Sequence, residues 1–135
     1  MSVHPLLALG DEAFVLLSTF RTTGIAVGTP VWVARDGDRL LVTTGGTSGK
    51  VKRIGHTARV ELTACSMRGD ILDGALAVTA HATVATDAAT LARLDEVLLA
   101  KYGEQFTAVR AAAHGPGSAA ASVAIVLTPG GSTPA

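Results

Sequence analysis

The chain has 135 residues, 48% of them hydrophobic with a mean hydropathy of +0.42, and its 11 basic and 11 acidic residues cancel to zero formal charge. That length predicts one domain with a real core, and the charge balance indicates neither a general nucleic-acid surface nor an anionic-membrane surface, so a small-molecule partner is expected. One cysteine, Cys65, excludes an internal disulfide framework; with no cationic n-region, no long apolar h-region and no run near the ~18 apolar residues of a membrane span, a cytoplasmic protein is expected.

In chain order, residues 5–12 read as a short helix with Leu6 and Leu9 on one side. Residues 14–20 carry apolar side chains on both faces and read as a central strand, and the next extended stretch covers residues 25–27 and 30–34. Gly28 and Pro30 predict a bulge or an unpaired position there. Asp36-Gly37 signals a hairpin returning antiparallel through residues 40–44. Residues 58–65, with Val60, Leu62 and Ala64 inward, form a strand with one wet face, followed by a loop at 66–72. Leu76, Val78, Ala80, Ala82 and Val84 alternate as the apolar side of another one-sided strand, which implies an antiparallel sheet. Asp87 caps a long helix with the stripe Leu91, Leu94, Val97 and Leu98, stopped by Gly103. A second helix covers residues 104–113, a buried strand residues 122–127, and residues 129–135 have little to bury and form a tail. Roughly six strands with a helical pair before the last predict a mainly β fold, a small antiparallel barrel with helices.

The stretch with chemistry in it is Thr43-Thr44-Gly45-Gly46-Thr47-Ser48-Gly49-Lys50-Val51-Lys52-Arg53. Its glycines permit close backbone approach, and Ser48 is placed to cap a helix whose first free N–H groups point at an anion. Lys50 and Arg53 then share a helix face, Val51 and Ile54 turn inward, and Lys52 lies elsewhere. Turns of this composition also serve as plain connectors. A nucleotide P-loop does not fit, because Gly45 to Gly49 is one residue short and Val51 stands where a hydroxyl is required. His4, His56, His81 and His114 lack metal-ligand spacing, so no metal is expected, and Cys65 reads as a small core or edge residue.

Leu16-Leu17-Ser18-Thr19-Phe20-Arg21, then Thr29-Pro30-Val31-Trp32-Val33-Ala34-Arg35-Asp36-Gly37, then Ser48-Gly49-Lys50-Val51-Lys52-Arg53 with Arg59-Val60 behind, resemble the PPOX-class deazaflavin-dependent oxidoreductases of actinobacteria. These are relatives of pyridoxamine-phosphate oxidase with a split β-barrel. The resemblance covers nearly the whole chain and implies a six-stranded split barrel, a homodimer with cofactor sites at the subunit interface, and coenzyme F-420 or FMN as cofactor. By position, Thr43, Thr44, Ser48, Gly49, Lys50 and Arg53 would hold the cofactor phosphate, while Pro30, Val31, Trp32 and Val33 would lie along the ring system. Trp32 stays open between that role and packing. The flavin-binding oxidases bracket this strand with an Arg and a Lys, and carry a C-terminal Arg and His for pyridoxine. Neither pair has a counterpart here, which places F-420 ahead of FMN and argues against vitamin oxidation. The expectation is a reductase passing a hydride from reduced deazaflavin to a small conjugated substrate, with no catalytic residue assigned. An FMN-dependent enzyme and a non-enzymatic cofactor carrier are the alternatives.

Overall fold

The structure is a computed structural model that describes residues 5–45, 49–113 and 122–129. A short helix α1 (Pro5–Ala8) and a 3-10 turn lead into β1 (Phe14–Phe20), β2 (Ala26–Val31), β3 (Ala34–Asp36) and β4 (Arg39–Gly45). Then come α2 (Gly49–His56), β5 (Arg59–Cys65), β6 (Val78–Ala85), α3 (Ala88–Tyr102), α4 (Glu104–Ala113) and β7 (Ser122–Pro129). The seven strands form one antiparallel sheet in the order β2-β1-β5-β6-β7-β4-β3. Mainly β with helices, as the pattern predicts, the sheet has seven strands rather than six. The extended stretch read as one strand changes partner part-way, since its first half pairs with β1 and its second with β4.

That change of partner curls the sheet. β2 and β3 are its two edges, yet only Trp32 and Val33 separate them, so the edges lie within about 11 Å at ~3.8 Å per Cα step. The enclosed space is filled by alternate residues of the strands, among them Val15, Leu17, Leu40, Val42, Val60, Leu62, Ile125 and Leu127, with Leu6 from α1 and Ile54 from α2 closing over them. A second apolar cluster seats α3 and α4 against the other face of the sheet, through Leu94, Val97, Leu98 and Phe106 on Ala34, Leu41 and Ala124. The predicted stripe of α3 is the side that packs, and the Asp87 carboxylate accepts from the Thr90 N–H at 2.9 Å as the expected cap.

Three local expectations differ from what is found. The β1–β2 register runs unbroken through Ser18↔Gly28 and Leu16↔Pro30, so there is no bulge. Gly28 serves packing, since a Cβ there would meet Leu16 at 3.1 Å, and Pro30 is tolerated because β2 is an edge strand with no ladder on its far side. Leu76 is not part of β6: it is 80% exposed in a loop that extends to residue 77. The expected tail lies outside the described residues except for Pro129, which ends β7. Among the described residues no helix is long and apolar enough to cross a membrane.

The corner between β2 and β3 has backbone groups that no ladder satisfies, and the last turn of α3 supplies their partners. Lys101 Nζ donates to the carbonyls of Val33 (2.6 Å), Gly10 (2.7 Å) and Glu12 (2.5 Å). The Tyr102 hydroxyl accepts from the Val33 N–H at 3.2 Å and donates to the Ala13 carbonyl at 2.7 Å. Burial holds the Lys101 ammonium below its usual pKa, with Asp11 and Glu12 opposing the shift. On the same helix Arg93 reaches Asp36 (2.7 Å), which Arg39 also pairs (2.9 Å), tying α3 to the β3–β4 hairpin. Burial alone would raise the Asp36 pKa, but the hydrogen bonds from Arg93 and Arg39 outweigh it and hold the carboxyl below its ordinary range.

Replacing Lys101 by Met keeps the apolar stem and removes the donor from three carbonyls. Urea denaturation should show a loss of about 1–3 kcal/mol. A loss under ~0.5 kcal/mol would mean that water takes over the ammonium's role.

Candidate functional site

At the end of the barrel away from that corner, β4 finishes at Gly45 and α2 begins at Gly49. Helix α2 packs on β1 and β6, with Ile54 buried beneath it. Its phase is the predicted one: Lys50 and Arg53 are half-buried on one side, Val51 is half-buried, and Lys52 is exposed. Helical side chains lean toward the N-terminus, so Arg53 runs back over the first turn. There its Nε donates to Thr19 Oγ1 at 2.5 Å, and its terminal nitrogens cover Gly49, where a Cβ would meet Nη1 at 2.7 Å. Gly49 is thus the clearance that lets the guanidinium lie at the helix end.

The electrostatics suit an anion. Partial burial, and then the neighbouring Arg53 charge, hold the Lys50 ammonium below the usual lysine pKa. None of the ion pairs among the described residues involves Lys50 or Arg53. A helix N-terminus carries partial positive charge, so two cations placed beside it repel it and one another until an anion arrives. The donor set therefore fits a phosphate group: a backbone helix end, an ammonium and a guanidinium, with clearance at Gly49.

Of the other residues proposed from sequence, Thr43 and Thr44 are half-buried at the C-terminal end of β4, Thr44 being separated from α2 by Gly45 and the segment 46–48. Ser48 lies outside the described residues. The stretch expected to lie along a ring system is elsewhere. Val31 and Val33 are in the barrel core, Pro30 is half-buried on β2, and Trp32 stacks on Tyr102 with centroids 4.4 Å apart and planes 11° from parallel. One face of the indole is therefore occupied by the corner itself. Along β1 and β2 the pair Thr19↔Val27 sits four residues from Val15↔Val31, about 13 Å at ~3.3 Å per residue, so within the chain Trp32 is well apart from Arg53. Sequence reading missed Thr19, Lys101 and Tyr102. A threonine among apolar neighbours on β1 is the only trace of the first, and the other two look like an ordinary cationic helix end. Among the described residues no three His, Cys, Asp or Glu side chains gather as metal ligands.

The pyridoxamine 5'-phosphate oxidase family model matches residues 7–130, nearly the full chain and the whole of the sheet. The chain belongs to this family. No curated protein sequence matches it. Among solved structures it is similar to a conserved hypothetical protein of Mycobacterium tuberculosis, with TM-score 0.71 and 15% identity over 97% of this chain and 82% of that one. It is also similar to the heme storage protein HutZ of Vibrio cholerae, with TM-score 0.67 and 11% identity over 98% and 93%. An F-420 reductase matches with TM-score 0.60 and 19% identity over 95% of both chains. At such identities the likeness is one of fold.

If Lys50 meets a ligand phosphate, removing it would delete a charge-assisted contact of ~1.5–3 kcal/mol. Lys50→Ala should weaken binding of F-420 or FMN by roughly ten- to a hundredfold, Arg53→Ala should act in the same direction, and Lys52→Ala should do less. Calorimetric titration with parallel melting curves checks this. Equal affinity for Lys50→Ala and the parent chain, at equal melting temperature, would reduce the turn to a connector.

Proposed function

We propose that the protein is an F-420-dependent reductase that delivers a hydride to a small conjugated organic substrate. The observation that carries this reading is the Arg53 guanidinium held over the Gly49 end of α2 beside Lys50. In this reading Gly49, Lys50 and Arg53, with Ser48, Thr43 and Thr44, hold the cofactor phosphate, and the deazaflavin supplies the hydride. The chain's own work is to bind, orient and exclude water, which is the protein's usual share in cofactor chemistry. F-420 ranks above FMN because the cations that bracket the ring strand in flavin-binding oxidases are missing from residues 29–34, and a fold neighbour is an F-420 reductase. Titration of the purified chain should give a lower Kd for F-420 than for FMN, and reduced F-420 should be reoxidised on adding a conjugated enone. Yellow protein carrying FMN from an ordinary expression host would reverse the order. The fold shared with a heme storage protein favours a second reading, a carrier without catalysis, for which bound reduced cofactor stays unchanged whatever substrate is added.

We further propose a homodimer. Residues 66–77 form a loop held by Ser66 Oγ, which accepts from the N–H groups of Arg68 and Asp70 at 3.2 Å, and by an isolated backbone β-bridge, Cys65↔Ile71. This ordered loop nevertheless exposes Met67 (70%), Ile71 (56%), Leu72 (42%) and Leu76 (80%), an arrangement suited to burial against another chain. A second protomer also offers a way round the separation of Trp32 from Arg53, by bringing one chain's ring stretch to the other's phosphate turn. Sedimentation should report two chains, and Met67→Asp with Leu76→Asp should dissociate them and weaken cofactor binding together. A monodisperse monomer that binds with full affinity would overturn the dimer.

A further inference from the structure

We infer that Thr19 is a positioning residue for phosphate recognition, its buried hydroxyl fixing the Arg53 guanidinium over the N-terminus of α2; this rests on the phosphate-site reading above. Thr19 is fully buried and follows Val15 and Leu17 on the side of β1 that faces the barrel core. The other two residues on that side are apolar, so a hydroxyl at the third is an exception to the pattern. Buried hydroxyls need partners, and Oγ1 accepts from Arg53 Nε at 2.5 Å.

Which nitrogen is used matters. Nε is the inner donor of the guanidinium, so anchoring it leaves the terminal fork free to face a ligand. The fork lies over Gly49, where a Cβ would stand 2.7 Å from Nη1, so the glycine below leaves room for it and the threonine behind holds it. A cation beside a helix N-terminus is an unfavourable arrangement without an anion, and an arginine free to move would swing away from it. The threonine holds it there in advance, which lowers the ordering cost when a phosphate binds. Thr19 touches no ligand in this scheme. It acts through Arg53.

The experiment titrates the full chain with F-420 and with FMN, and in parallel with the phosphate-free deazaflavin core and with riboflavin. Thr19→Val should weaken the phosphate-bearing ligands by about tenfold and leave the phosphate-free ones within about twofold. Thr19→Ser, which keeps the hydroxyl, should restore binding, and in an Arg53→Ala background Thr19→Val should cost no further affinity. Arg53→Lys retains the charge but lacks Nε, and should show the same phosphate-selective loss, which keeps the test open if Thr19→Val does not fold. Equal losses for phosphate-bearing and phosphate-free ligands would make Thr19 a packing residue and overturn the inference. Parent-like affinity in both Thr19→Val and Arg53→Lys, with Lys50→Ala still impaired, would overturn it while leaving the phosphate site standing. Parent-like affinity in Lys50→Ala as well, or no binding of any phosphate ligand by the parent chain, would remove the phosphate site and this inference with it.

Discussion

Two residues, Trp32 and Val33, join the two edges of the sheet, and much of the molecule follows from how short that link is. A seven-stranded antiparallel sheet whose outermost strands are consecutive in the chain has to curl until its edges nearly meet. Curling creates an inside, which the alternating apolar residues fill, and an outside, which needs its own cover where apolar residues also point outward. Leu41, Ala124 and Val126 are such residues, and α3 and α4 are that cover. The corner is left with backbone groups that pair with neither edge. Lys101 and Tyr102 answer them, and the stacking of Trp32 on Tyr102 makes the single tryptophan part of the same closure.

The opposite end of the barrel is closed differently. There the lid is α2, entered directly from β4, and its apolar contribution is small, chiefly Ile54. A polar contact, the Arg53 to Thr19 bond, also holds it. A cover held this way places charge at the rim of the barrel, where an apolar plug would place none. Fold and proposed site are thus coupled at one side chain, since Arg53 both fastens the helix and supplies half of the cationic face.

Much of this was legible in the sequence because it is local. The Asp36-Gly37 hairpin, the Asp87 cap, the Leu94, Val97 and Leu98 stripe and the phase of Lys50, Lys52 and Arg53 depend on neighbours within a turn or two, and periodicity reports such relations directly. What was not legible depends on partners far along the chain. Val31 and Ala34 read as one strand because nothing local marks a change of partner from β1 to β4. Lys101 meets residues 68 to 91 positions away, and Arg53 meets a threonine 34 positions away. Leu76 misled for the opposite reason: it continues the alternation of Val78, Ala80 and Ala82, but the ladder to β5 begins only at Val78. Pattern states which face a residue would take if it were paired. Pairing itself is decided elsewhere.

Zero net charge is compatible with an anion site because the charges are not evenly spent. Arg39, Arg59 and Arg93 are each matched to a carboxylate, and Lys101 is enclosed by carbonyls. Those cations are committed to structure and contribute little to any field felt by a ligand. Lys50 and Arg53 take part in none of the ion pairs among the described residues, and they stand beside a helix N-terminus. The carboxylates of Glu96 and Asp36 are bound up with Arg93 at the α3 side of the sheet. Such an arrangement lets a neutral chain present a locally positive rim at α2, and at short range it is the local arrangement, not the sum, that an anion would meet.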